Sequence, residues 1–439
     1  MCTKSMKRNT HCFCRQIVIY LKEMTMKIFK RIMKLTVRNF LCSCIFIIFF
    51  LIFISFWKSE SIGVYKQNAH IPVIVWWTNG FPSVNQIRTC SDNIDCEIFA
   101  DKKINGNAVD AYLFYGSVIN LEDLPLPRRP YDVIWGLFHE ESPRNVEELM
   151  HEEMLNLFNF SATFSRHSDV PFPLQYLDSI NDITSKEHYV DTSTKNNDLK
   201  EIGPIMYLQT DCETSTERDK YVKELMKFIQ VDSYGACLNN KVIPQKFKHD
   251  YLNNLNDPEF LDFTARYKFV IAIENGVCDD YITEKFWRAI KVGTVPIYFG
   301  SPTIRDWLPN NKSAILIKDF PTPKAMSEYL QLLLKNDKLY EEYLEHKIKG
   351  TITNKRLHEE LRARPYQNDA LKTAETLECL VCKKLHEKNK RDKNIVTKYH
   401  YNCPQPISAL TLGVNPHNSW LFSWRSAKLK VQEIYKKLG

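Results

Sequence analysis

Between Glu274 and Pro302 the chain reads ENGVCDDYITEKFWRAIKVGTVPIYFGSP, and the residue types packed into it suit the binding of a phosphorylated sugar. Thr283 has the side chain of a helix N-cap, and the free N–H groups opening the helix that follows attract phosphate. Lys285 adds a mobile cation in the first turn, and Glu284 can accept hydrogen bonds from ribose hydroxyls. Glu274 and Asn275 arrive at the end of an apolar strand, Tyr281 offers an amphipathic ring, and Gly300 lets the backbone come close to a ligand. Taken singly, each has an ordinary explanation: an acid favours a helix N-terminus, and Glu284 with Arg288 is an i,i+4 pair. No G-x-G-x-x-G or Walker loop is present. The distinguishing feature is the complete string.

Apolar, β-branched runs supply the strands that must deliver these side chains. IPVIVWWTNG, AVDAYLFYG and YDVIWGLFHEE read as strands in the first half, and PIMYLQT, VDSYGACL, YKFVIAIEN, TVPIYFG and AILIKD in the second. Helical spacing lies between them, in SPRNVEELMHEEMLNLFNF, in STERDKYVKELMKFIQ and in the stretch opening EKFWRAI. The polar stretch SINDITSKEHYVDTSTKNNDLKEIG has a linker's composition. Two runs of alternating strand and helix predict two Rossmann-like, doubly wound parallel α/β domains facing a cleft. Ligands of such domains bind at strand carboxyl ends, so the cleft is the expected site. Residues 71–195 and 196–353 are the expected domains, and 354–439 reads as a polar, cysteine-containing tail.

With 439 residues, 44% hydrophobic and 25% charged, the chain has the composition of a folded protein. Its formal net charge of +7 comes from the arm 1–39, where ten lysines and arginines from Lys4 to Arg38 face the single acid Glu23. The remainder is near neutral and lacks a basic stripe interleaved with aromatics, which argues against a nucleic-acid partner. Residues 40–57, FLCSCIFIIFFLIFISFW, carry no charge and have about the length of a bilayer-spanning helix. A cleaved signal peptide would have a shorter region ahead of its apolar core. The positive-inside rule therefore predicts a type II membrane anchor, with 58–70 as a stem and the rest in a lumen.

Cys90, Cys96, Cys212, Cys237, Cys278, Cys379, Cys382 and Cys403 form an even set beyond the anchor, as disulfides require. Cys379-x-x-Cys382 with Cys403, His386 and His400 is the alternative, a zinc set, which an oxidising lumen disfavours. Glycosylation sequons at Asn159 and Asn311 would be usable only in that topology.

The string IENGVCDDYITEK followed by VPIYFG resembles the signature of the α1,3-fucosyltransferases of glycosyltransferase family 10: F/I-E-N, a short gap, D-Y-x-T-E-K, then V-P-V/I and G. YLQTDCETSTERDKYVKELMKFIQVDSYGACLNN resembles the segment preceding it in the family, and LFHEESPRN the family's E-S-P motif. The likeness runs from about Ile71 to about Thr353. The ECLVC and NCP ending, the WWTNG start and SPTIRDWLPNN look like a divergent metazoan subgroup linked to protein O-fucosylation as well as to glycan fucosylation. Ile273 stands where many members carry Phe and Phe286 where Leu is usual, and neither change removes a polar group.

The resemblance implies a GT-B architecture with GDP-fucose held by the second domain, and inverting transfer of fucose to an acceptor hydroxyl. It implies Glu141 as general base, Arg218 and Lys285 at the diphosphate and Glu284 at the ribose, with Asn275, Tyr281 and Tyr234 lining the donor pocket beside Glu274. An α1,3 linkage to GlcNAc of a glycan is the first expectation. The alternatives are Ser or Thr of a folded secreted domain, and a non-catalytic relative that binds sugar nucleotide or glycan. A degenerate site would have lost charged groups, whereas Glu141, Arg218, Glu284 and Lys285 are all present. No D-x-D triplet is available to chelate a nucleotide-bound cation, so no metal or cofactor is expected to be required. The expected compartment is the Golgi or endoplasmic reticulum, with the catalytic part lumenal.

Overall fold

The computed structural model describes residues 22–28, 30, 31, 33, 34 and 52 and, from 70 to 438, all but 80–84, 105–107, 129–132, 248–255 and 388–393. The chain divides into two units, Met1–His70 and Ile71–Gly439. In the first, every described residue but His70 is helical. The expected anchor, 40–57, lies outside the described residues except for Ile52. Among the described residues no helix is long and apolar enough to cross a membrane.

Ile71–Gly439 is built on two sheets. The first comprises β1 (Val73–Trp76), β2 (Gln86–Thr89), β3 (Asp95–Phe99), β4 (Ala111–Tyr115), β5 (Ile134–His139), β6 (Phe160–Thr163) and β7 (Val170–Pro171). Its order is β2-β3-β1-β4-β5-β6-β7, parallel except for the β2–β3 pair. The second comprises β8 (Ile205–Gln209), β9 (Val231–Gly235), β10 (Phe269–Ile273), β11 (Val295–Phe299) and β12 (Ile315–Leu316). Its order is β12-β11-β10-β8-β9, parallel throughout. Strands β8, β10 and β11 are buried at every position, as continuous apolar runs covered on both faces must be.

Two segments differ from their sequence-based readings. The polar stretch after Leu177 folds into helices Ile180–Thr184 and Thr192–Asp198, started by a capping box at Ser179 and by the side chain of Asp191. Residues 354–439 are not a tail. They form helices Lys355–Ala363, Ala370–His386 and Trp420–Lys436. Leu377 and Val381 of the middle helix share a core with Ile74, Leu113 and Phe160 of the first sheet. Its polar residues are also committed: Glu378 accepts from Trp76 Nε1 and Arg88 Nε, each at 2.9 Å. Disulfides Cys90–Cys379 and Cys96–Cys382 fasten the same helix to the sheet edge. With Cys212–Cys237 and Cys278–Cys403, they engage all eight cysteines of the set, which removes the thiolates of the zinc alternative.

Candidate active site

The carboxyl end of β10 and the helix Glu284–Val292 form one half of the site. Thr283 is the N-cap and accepts from Lys285 N at 3.4 Å. Glu274 is fully buried, and its two carboxylate oxygens take Thr283 N at 2.8 Å and Thr283 Oγ1 at 2.7 Å. It therefore fixes the helix start. Gly300 is explained by the same residue: a Cβ there would lie 2.5 Å from Glu274 Cγ, so the close approach is to Glu274.

Charge concentrates at this helix start. Lys285 Nζ lies 2.9 Å from Glu284 Oε1 and 3.8 Å from Glu274 Oε2. Burial pushes the Glu274 carboxyl up to about 7 despite Lys285. Burial opposes the charge of Glu284 too, but Lys285 and Arg288 outweigh it and hold that carboxyl at about 2. Arg218, first residue of the helix Arg218–Leu225, is close enough for its charge to act on Lys285. It is 1% exposed, and Nη2 donates to the Asp211 carbonyl at 2.6 Å. Its Nε is buried with no partner among the described residues. An anion's oxygen would relieve that cost. Beside Glu284, a cavity lined by Tyr176, Trp287 and Arg288 opens along the helix.

The loop after β5 forms the other half. Glu141 accepts the Tyr281 hydroxyl at 2.7 Å, which joins the E-S-P loop to the D-Y-x-T-E-K string. Next to it, Ser142 Oγ donates to Asn275 Oδ1 at 2.8 Å, and Ser215 Oγ holds the Asn275 carbonyl at 2.8 Å. Glu140 turns elsewhere: one oxygen takes the Tyr115 hydroxyl, and burial raises its pKa. His139 is fully buried with Nδ1 2.8 Å from Tyr401 Oη, and burial pushes its pKa down to about 3, so it stays neutral. Asp280, at φ +64, is fully buried and receives Arg166 Nη2 at 2.5 Å, Thr303 Oγ1 at 2.6 Å and Trp307 Nε1 at 2.9 Å. These bonds immobilise the backbone just before Tyr281.

The structure thus brings together Glu141, Asn275, Tyr281, Glu284 and Lys285, with Arg218 and Glu274 behind them. Two expected residues fall away. Tyr234 is 4% exposed among aromatic side chains, and its hydroxyl is bonded to Tyr267 Oη at 2.6 Å, so it is a packing residue. Asn159 uses its amide internally, donating to Asn394 O at 3.1 Å and accepting from Arg128 Nη2 at 2.7 Å, while Ser161 of its sequon is fully buried in β6. A glycan on that nitrogen would displace the bond to Asn394. Asn311 is exposed. Ser142, Ser215, Arg166 and Asp280 were not foreseen. Of these, Asp280 lies inside the D-Y-x-T-E-K string and Ser142 inside the E-S-P motif, so those two carried a signal.

The family model described as "Glycosyltransferase family 10 (fucosyltransferase) C-term" matches residues 200–400, and "Fucosyltransferase, N-terminal" matches residues 69–175. The chain belongs to glycosyltransferase family 10. Within this fucosyltransferase family, it is 42% identical over 382 residues to alpha-(1,3)-fucosyltransferase B of Drosophila melanogaster, covering 85% of each chain. It is 40% identical over 400 residues to GDP-fucose protein O-fucosyltransferase 3 of Homo sapiens, covering 87% of this chain and 83% of that protein. A crystal structure of alpha1,3-fucosyltransferase with GDP-fucose aligns at 15% identity and a TM-score of 0.38, over 69% of this chain and 93% of that one. The two departures from the family-10 signature, Ile273 and Phe286, are both fully buried and apolar, so they alter packing and leave the fucosyltransferase polar groups intact.

Proposed function

We propose that this fucosyltransferase transfers fucose from GDP-fucose, with inversion, to a Ser or Thr hydroxyl of a folded protein, using a two-lobed GT-B site between its sheets. The observation that carries the site is the Tyr281–Glu141 hydrogen bond, because it ties an acceptor-side carboxylate to Tyr281, which stands four residues before the Lys285 cation in the chain. Glu141 removes the acceptor proton as the oxygen bonds to the anomeric carbon. The bond from that carbon to the diphosphate breaks, and β-linked fucose becomes an α-fucoside. Charge developing on the departing GDP falls to Lys285, to Arg218 and to the N–H groups behind Thr283. Glu284 engages the ribose, with the nucleoside along Tyr176 and Trp287. Because these groups supply the positive charge, activity is expected to survive chelation of divalent cations.

Protein acceptors are favoured by the extent of similarity to protein O-fucosyltransferase 3. The similarity to alpha-(1,3)-fucosyltransferase B supports the second reading, GlcNAc of a glycan. The full chain incubated with GDP-fucose and either a disulfide-bonded protein domain or a GlcNAc-terminated glycan separates them, with GDP release and product mass as readouts. Product on the glycan alone reverses the order, and no GDP release above background with either leaves only the non-catalytic reading.

The placement proposed is a single-pass type II protein of the Golgi or endoplasmic reticulum membrane, with Asn311 glycosylated. Four disulfides suit an oxidising lumen. Protease added to sealed microsomes should remove only the arm before Phe40, and digestion of the catalytic part would refute this topology.

A further inference from the structure

Two arginines from different parts of the site share one aspartate. Arg144, on the loop that carries Glu141, places Nη2 2.6 Å from Asp211 Oδ1. The other oxygen of Asp211 lies 3.4 Å from Arg218 Nη2, the nitrogen that also donates to the Asp211 carbonyl at 2.6 Å. Trp420, at the start of the last helix, sits over the Arg144 guanidinium with its ring 5.5 Å away. Asp219, a second acid near Arg218, is engaged by the Tyr207 hydroxyl at 2.5 Å. Glu147 is near enough for the charge of Arg144 to act on it.

We propose that Arg144 is a positioning residue for fucosyl transfer: it holds the Asp211 carboxylate so that Arg218 keeps its charge for the diphosphate of GDP-fucose. This rests on the reading of Arg218 as a diphosphate ligand. Without Arg144, the half-buried Asp211 carboxylate would turn to Arg218, offsetting its charge and repelling the incoming phosphates. The Asp211 carbonyl places the Arg218 side chain; Arg144 governs how much of its charge is available. The loop itself has an independent tie in Ser142 and Asn275, so loss of Arg144 removes charge without releasing the loop.

The test measures GDP affinity and the kcat and KM for GDP-fucose in the full chain, beside thermal melting. Arg144→Ala should weaken GDP binding about tenfold, raise KM for GDP-fucose similarly and change kcat less, with Arg144→Lys partly restored. The decisive arm is Arg144→Ala with Asp211→Asn. Removing the unbalanced carboxylate should bring GDP affinity back to within about threefold of the wild type. A merely structural ion pair would give a double variant no better than Arg144→Ala. That result, or unchanged GDP affinity in Arg144→Ala, overturns the proposal. If Arg144→Ala does not fold, Asp211→Asn alone decides: binding GDP no more weakly than wild type supports it, and weaker binding overturns it. Unchanged GDP binding in Arg218→Ala would sink the diphosphate reading as well, whereas loss there with no effect in Arg144→Ala sinks this proposal only.

Discussion

The hydroxyl of Tyr281 donates to Glu141 at 2.7 Å, while the adjacent Glu140 gives its carboxylate to Tyr115. Neighbouring residues at the end of a strand point to opposite sides, and here the two acids meet different halves of the molecule. Glu141 meets the loop leading to Lys285. Glu140 meets β4 and Ser117, and its backbone carbonyl takes Gln175 Nε2 at 2.9 Å.

Glu141→Gln should therefore lose most transfer, by about 10² to 10⁴ in initial rate, while keeping GDP binding and the fold. The amide preserves the Tyr281 contact but cannot take a proton. Glu140→Gln should retain most activity and show at most a modest change in melting. Near wild-type transfer by Glu141→Gln, or inactivity of Glu140→Gln alone, reassigns the base.

Lys285 lies among Glu284, Glu274 and Arg218; burial opposes its charge, but the two acids prevail and raise its pKa. It is a cation throughout the neutral range. Lys285→Ala should weaken binding of both GDP and GDP-fucose as well as turnover, since phosphate charge is present before and during reaction. Lys285→Arg should rescue in part. Unaltered GDP affinity in a folded Lys285→Ala protein removes this residue from the donor site.

Burial raises the Glu274 carboxyl to about 7. The folded state then holds a proton that the unfolded chain gives up near pH 4.3. Stability from this group is full below the unfolded pKa and is lost as pH rises through about 7. Melting curves should show the wild type losing ground to Glu274→Gln between pH 5 and pH 7.5, on the order of a few kcal/mol. Parallel curves would mean that Glu274 is not protonated in the folded protein near neutrality.

Arg166 donates from Nε and Nη2 to the buried carboxylate of Asp280. Arg166→Ala leaves that charge uncompensated and should cost about 3–5 kcal/mol. Asp280→Asn, which removes the charge but keeps one acceptor oxygen, should cost less. Because Tyr281 follows directly, GDP-fucose turnover should fall with Arg166→Ala even below its melting range. Equal melting temperatures for the two variants would argue against an ion pair as the cause.

The strands that carry the site were legible because each is a short apolar run with a polar end: β5 delivers Glu141 and β10 delivers Glu274 and Asn275. The N-cap at Thr283 was equally plain, since capping is local. Three kinds of information were not local. Glu274 shares its position in the string with the candidate donor residues, yet its burial against Gly300 depends on how β11 lies beside β10. Tyr234 looks like a polar-tipped ring until Tyr267 and Asp232 are seen around its hydroxyl. The segment 354–439 looked like a tail because the helix Ala370–His386 has a thin apolar stripe. Its partners are 286 and 289 residues away, beyond the reach of any periodicity.

Those two long-range bridges also bear on how the protein is made. A ribosome releases β1 to β7 long before it translates Cys379 and Cys382, so the nascent first sheet waits, uncovered on the face that Leu377 and Val381 later occupy. The second sheet waits less long, since Cys278, after β10, pairs with Cys403 and Ala409 completes its core. A nonsense codon anywhere between the two sheets' last strand and Cys379 would thus leave the catalytic motifs encoded but the earlier half of the molecule without its keel. Such a chain would carry an uncovered first sheet and a Cys278 without its partner, so neither half could close.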